Sequence, residues 1–172
     1  MPSKEQIEAR MAELAARLGY EYRDLSHLSR AMYCEREPGY DNYTNDAMAT
    51  LGDAVLKLVW AEYFFDRGDD KDDISRKKSD LENNATLKNL CDLVGAHTFA
   101  YNELYFATDA PPHRALPHKD HDFYMEAIIA AIYRDRGLEY VRKFIIDFWH
   151  AHSDAVVYVS KKLPQRGEKR RG

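Results

Sequence analysis

At 172 residues and a formal net charge of −4, the chain has the size of one domain with a substantial core. No apolar run approaches the ~20 residues of a membrane-spanning helix, and the polar start MPSKEQIEARM carries no signal-peptide-like apolar stretch. Two cysteines, Cys34 and Cys91, lacking a CxxC or a Cys/His spacing, speak against a disulfide scaffold or zinc ribbon and fit reduced core thiols of a cytoplasmic protein.

The pattern is helical from the first residues. Ser3 with Gln6 is a capping box, Ile7, Met11, Leu14 and Leu18 follow at helical spacing, and Gly19 ends the run. Asp24 is placed to cap a second helix with Leu25, Leu28 and Met32 on one face. EREPGYDNYTND is a loop. A long helix spans Asn45 to Phe65. Its period puts Met48, Leu51, Val55, Leu58, Val59 and Glu62 on one side and Asp46, Ala49, Asp53, Lys57 and Trp60 on the other. A helical region over Ser75–Val94 starts with Arg76, Lys77 and Lys78 and has a kink near ENNAT. After a Pro-rich loop, a helix from about Asp122 to Arg134 buries Met125, Ile128, Ile129 and Ile132. Gly137 ends it, and a last amphipathic helix runs from Leu138 to about His152. AVVYVS is a helix extension or a packed extended segment. No strand pairs with another by pattern, so the class is all-α. Residues 1–160 form the domain, and residues 161–172 form a tail with five net positive charges, expected to be disordered, on a body carrying nine net negative ones.

The chemistry centres on Gly52-Asp53, in the middle of the long helix. Gly costs roughly 1 kcal/mol against Ala in a helix interior, and a carboxylate beside an apolar run needs a partner. Asp53 shares a helix side with Asp46, and Glu126 lies in the second apolar helix among Ala127, Ala130 and Ala131. Two carboxylates from two packed helices suit Mg²⁺, which keeps several waters and binds through one or two carboxylates. Gly52 would let a neighbouring backbone or a ligand come close. The plain alternative is an Asp53 satisfied by nearby backbone or by Lys57. His113, His118 and His121 lack a helical i, i+4 spacing, and no GxSxG or Walker-type loop is present.

LGDAVLKLVWAEYFF resembles the signature helix of ribonuclease III endonuclease domains. LGYEYRDLSHLSRAM, ISRKKSDLENNATLKNL and MEAIIAAIYRDRGLEYVRKFI are similar to the family's opening segment, its Ser-Arg/Asn-Asn segment and its second acidic motif, in family order over about residues 16–148. The resemblance implies four metal-holding carboxylates, two in the signature helix and two in the second motif. Asp53 and Glu126 match two of them; Ala49 and Phe123 stand at the other two. The short Mini-ribonuclease III group is similar at these positions, and like that group the chain is expected to have no double-stranded-RNA-binding domain.

The resemblance implies a homodimeric, Mg²⁺-dependent (Mn²⁺ as substitute) endoribonuclease that hydrolyses double-stranded or structured RNA, leaving 5′-phosphate and 3′-hydroxyl ends, with a ribosomal RNA precursor as one natural target. The dimer patch is expected to include apolar residues of the signature helix. Metal would be held by Asp53 and Glu126, with Asp46 or Asp122 in water-mediated support, since Asp122 and Glu126 are i, i+4. Arg76, Lys77 and Lys78, with Lys161, Lys162, Arg170 and Arg171, are the expected phosphate contacts. No membrane partner or small-molecule cofactor is expected. A catalytically inactive RNA-binding or assembly protein of the same fold is the second open reading.

Overall fold

The computed structural model describes residues 2–39, 42–104, 106–107 and 123–162, with main chain only for 161 and 162. Among them the structure is helical, with three isolated β-bridges and no strand. In chain order the helices are α1 (Lys4–Leu18), α2 (Ser26–Met32), α3 (Asp46–Asp66), α4 (Lys71–Glu82), α5 (Asn84–Val94), α6 (Tyr124–Arg136) and α7 (Leu138–Ala151), with short 3₁₀ turns at Ala96–Phe99, Ser153–Ala155 and Val159–Lys162.

The starts and stops follow local chemistry. Ser3 and Gln6 form the reciprocal capping box, and Gly19 closes α1 in the left-handed region at φ 69°. Asp24 does not cap α2. Its carboxylate accepts the Ser26 N–H, and the helix starts after Leu25. Instead of a kink at ENNAT the chain breaks into two helices, because Asn83 adopts an extended conformation and caps α5 by accepting the Thr86 N–H.

α6 is the core element. Met125 and every residue from Ala127 to Ile132 are fully buried, with α3, α2 and α7 packed around them. The two-sided expectation for α3 is corrected. Ala49, Gly52, Leu56 and Trp60 are buried together with Met48, Val55 and Val59, while Leu51 and Leu58 are exposed. α3 lies under so much of the core that its buried face is wider than one stripe, and the apolar residues left over face outward.

Polar side chains fix the corners. The Asp135 carboxylate, at the end of α6, accepts the Tyr20 hydroxyl and the Arg23 and Asp24 N–H groups, so α6 holds the α1–α2 turn. The AVVYVS segment is neither strand nor helix extension. Asn83 and Thr86 bond the Val157 main chain, Asn89 bonds the Ala155 carbonyl, and buried Asp80 accepts both the N–H and the hydroxyl of Ser160.

Candidate metal centre

The site lies where α3 crosses α6. A Cβ built on Gly52 would stand 1.6 Å from the Glu126 carbonyl oxygen and 3.2 Å from the Ala130 nitrogen. The absence of a side chain therefore sets how closely the helices approach, and the crossing brings Asp53 and Glu126 to one locality. Asp53 is not a sealed core acid: its side chain is 39% exposed, and it accepts a hydrogen bond from Lys57, one turn on, at 2.5 Å. The pairing read from sequence as the plain alternative is thus present.

Lys57 ties the site together. Burial lowers its pKa, but the Asp53 hydrogen bond and the charges of Asp53, Glu82 and Glu126 outweigh that, and the net shift is upward. Glu82, the last residue of α4, is an acid that the sequence reading did not single out. Its side chain is 10% exposed, and Lys78 lies 3.8 Å from Oε1, an ion-pair distance too long for a hydrogen bond. Burial pushes the Glu82 carboxyl upward and so does Asp53, against the opposing pull of Lys78 and Lys57. A sequence signal existed: a carboxylate at a helix C-terminus opposes the helix dipole, so its position needs a cause.

The two missing acids are replaced by packing. Ala49 is 6% exposed, and Phe123 is 4% exposed and stacks on Tyr43 with ring centroids 6.4 Å apart. Asp46 starts α3, where its carboxylate accepts the Tyr43 N–H at 2.9 Å. It is two helical turns, about 10 Å of rise, from Asp53. Asp122 and the three loop histidines lie outside the described residues, as do Arg170, Arg171 and the side chains of Lys161 and Lys162. Asn45, at the head of α3, is buried and donates to the Ala31 carbonyl at 3.0 Å, which pins α3 to α2.

The basic triplet expected at a helix start lies instead in the middle of α4, because Asp70 caps the helix earlier by accepting the Asp73 N–H, and its members are engaged with acids. Arg76 pairs with Asp73 at 3.5 Å, Lys77 with Asp69 at 2.7 Å, and Lys78 faces Glu82 in the site. Arg76 and Lys77 remain 41% and 38% exposed, open to a phosphate on one side.

Among the described residues no group of three His, Cys, Asp or Glu side chains could hold a metal ion. Asp53 and Glu126 are oxygen donors from two crossing helices. Two carboxylates with the rest of the shell supplied by water suit Mg²⁺ better than a fully protein-ligated ion.

Comparison with known proteins identifies the family and the fold. The ribonuclease III domain model matches residues 46–137. Ribonuclease 3 of Chloroflexus aurantiacus is 28% identical over 158 residues, 87% of this chain and 64% of that protein. Ribonuclease 3 of Agrobacterium fabrum is 29% identical over 152 residues, 85% of this chain and 61% of that protein. The chain thus spans a little under two thirds of the length of these relatives. Two structures of the nuclease domain of ribonuclease III from Campylobacter jejuni share the fold. One has a TM-score of 0.62 at 24% identity, covering 82% of this chain and 96% of that one; the other has 0.58 at 23%, covering 90% and 97%.

Proposed function

The chain belongs to the ribonuclease III domain family, and from that premise we propose that it is a metal-dependent endoribonuclease acting on double-stranded or structured RNA. The observation that carries the proposal is the α3–α6 crossing, where Gly52 meets the Glu126 backbone and where Asp53 and Glu126 both act on Lys57. Each crossing helix brings one partly exposed acid to this locality, open to an ion from solvent.

Asp53 and Glu126 would hold the divalent ion, Mg²⁺ or Mn²⁺, with Asp46 and Asp122 as candidates for support through water. A bound ion would polarise the scissile phosphate and lower the pKa of a coordinated water, and attack of that water on phosphorus with the 3′-oxygen as leaving group would give 5′-phosphate and 3′-hydroxyl ends. The chain's own residues set the conditions. Lys57 pairs with Asp53, and its ammonium would be available to a substrate phosphate if Asp53 turned to an ion. Arg76 and Lys77, and beyond the described side chains Lys161, Lys162, Arg170 and Arg171, would take the duplex backbone without reading its sequence. An RNA-cutting unit on an acidic body should bind weakly and lose affinity steeply with salt. A ribosomal RNA precursor is the natural target we favour.

We further propose a homodimer. Leu51, Leu58 and Phe65 recur every seven residues on the outer face of α3, 38%, 48% and 71% exposed. One of the related Campylobacter jejuni structures concerns a region involved in dimer formation of that nuclease domain.

A second reading, an inactive RNA-binding or assembly protein, draws on the apolar packing at Ala49 and Phe123. Cleavage of a long double-stranded RNA with Mg²⁺ and then Mn²⁺, at low salt, separates the two. The enzyme reading expects cutting by the wild type and none by Asp53→Asn or Glu126→Gln. A wild type that shifts the RNA on a gel but never cuts it supports the second reading.

A further inference from the structure

We propose that the Asp80–Ser160 clasp is a positioning device. It fixes the root of the basic run 161–172 on α4, so that this run joins Arg76 and Lys77 in one phosphate-binding surface for an RNA duplex. This rests on the RNA-directed reading above.

The clasp is made of buried groups. Asp80 and Ser160 are both buried, and the two Asp80 oxygens accept the Ser160 N–H at 2.9 Å and its hydroxyl at 2.5 Å. The segment before it is gripped as well. Asn89 donates to the Ala155 carbonyl, Asn83 donates to the Val157 carbonyl, and Val157 donates its N–H to the Thr86 hydroxyl. The main chain then enters the 3₁₀ turn Val159–Lys162, which packs on α4. Paired buried polar groups give such a segment one register, because slipping would leave each of them without its partner. The main chain of Lys161, the first residue of the basic run, is therefore set at a fixed place.

That place adjoins the bases of α4. Arg76 and Lys77 precede Asp80 by four and three residues, the spacings that make neighbours on a helix surface. A helical side chain also leans over the turn before it, so the Asp80 carboxylate lies over the turn that carries them. Alone, the two bases make a poor phosphate site. Arg76 pairs with Asp73 and Lys77 with Asp69, and the four acids of α4 cancel its four bases. The run 161–172 adds five net positive charges. Rooted at Asp80, those charges begin beside Arg76 instead of being spread over an acidic body, and duplex affinity comes mainly from cations that meet successive phosphates.

The test measures affinity of the full chain for a short fluorescent RNA duplex, without divalent ions and across a salt series, for wild type, Asp80→Ala and Ser160→Ala. Each protein is also made with the run neutralised by Lys161→Gln, Lys162→Gln, Arg166→Gln, Lys169→Gln, Arg170→Gln and Arg171→Gln. Charge counting alone expects Asp80→Ala to bind more tightly, because an acid has gone. The proposal expects the reverse, about fivefold weaker binding at low salt and a salt slope shallower by roughly 0.9, the value of one lost phosphate contact. Ser160→Ala, which keeps the N–H bond and every charge, should move the same way by less, and it decides the matter if Asp80→Ala does not fold. Neither substitution should change affinity once the run is neutralised. If both bind as tightly as the wild type, or if their loss persists with the run neutralised, the clasp is structural only and the proposal falls. If neutralising the run leaves wild-type affinity unchanged, the run is no part of the surface, so the proposal falls while the RNA-directed reading stands. If the wild type binds no duplex at low salt, both are overturned.

Discussion

Gly52 faces the main chain of Glu126 so closely that a methyl group at position 52 would lie 1.6 Å from the carbonyl oxygen and 2.5 Å from its carbon. Helix propensity alone favours Gly52→Ala by roughly 1 kcal/mol. The crossing reverses the sign, because the obstructing atoms are backbone of a fully packed helix and cannot swing away. Gly52→Ala should lose about 3 kcal/mol in urea denaturation, the upper range for overpacking, and lose Mn²⁺ binding as Asp53 and Glu126 separate. An alanine variant as stable as the wild type would contradict the observed crossing.

The outward apolar residues of α3 yield a prediction of opposite kind. Leu58 and Phe65 are 48% and 71% exposed in the single chain. Leu58→Asp with Phe65→Asp should therefore leave the fold intact and abolish self-association in sedimentation, because the side chains touch solvent in the monomer and apolar surface in an isologous pair. A wild type that sediments as a monomer at roughly tens of micromolar, where a micromolar Kd would leave mostly dimer, would refute the dimer.

How much of this was legible beforehand differs by element. The capping box, the stop at Gly19, the α6 stripe and the terminal helix follow from period and cap chemistry, which are local, and all appear as expected. The sides of α3 do not follow. Period 3.6 orders residues around an axis but does not say how many neighbours the helix has, and here the buried arc takes in Ala49, Gly52 and Trp60. Asp53 and Glu126 stand out by pattern as acids in two apolar helices and are matched to family positions by motif resemblance, and their meeting place is explained by Gly52.

The Asp80–Ser160 contact should hold the C-terminal segment. Asp80 is 6% exposed, and its two oxygens accept the Ser160 N–H at 2.9 Å and the hydroxyl at 2.5 Å. Asp80→Ala leaves both donors without an acceptor and should cost about 2–4 kcal/mol. Because α4 and α5 grip the segment through Asn83, Thr86 and Asn89 as well, the loss should surface as early proteolytic cleavage near residues 156–160. Ser160→Ala, which removes only the hydroxyl, should cost about half as much. Equal protease resistance in all three proteins would show that the clasp is not what holds the segment.

Alkaline pH offers a check on the opposite corner of the molecule. Tyr20 is held neutral: burial first, then its hydrogen bond to and the charge of Asp135, push its pKa well above the ordinary value, about 10. The unfolded chain releases this proton above about pH 10 while the folded chain keeps it, so the unfolded state binds fewer protons and stability falls as pH rises. The contribution is fully present below about pH 10 and is lost beyond it, by up to about 1.4 kcal/mol per pH unit for one group. Tyr33 and Tyr101 are shifted the same way, the first by its bond to Glu35 and then burial, the second by burial, and they steepen the fall. Tyr20→Phe removes one of these slopes. It should be less stable than the wild type by roughly 1–2 kcal/mol near neutral pH, where the bond to Asp135 is lost, and the gap should narrow as urea midpoints are followed above about pH 10. Arg23 and Asp24 keep their own N–H bonds to Asp135, so the α1–α2 turn stays formed and the narrowing reports the tyrosine proton, not a collapsed corner. A constant gap across that range would mean that Tyr20 titrates alike in both states.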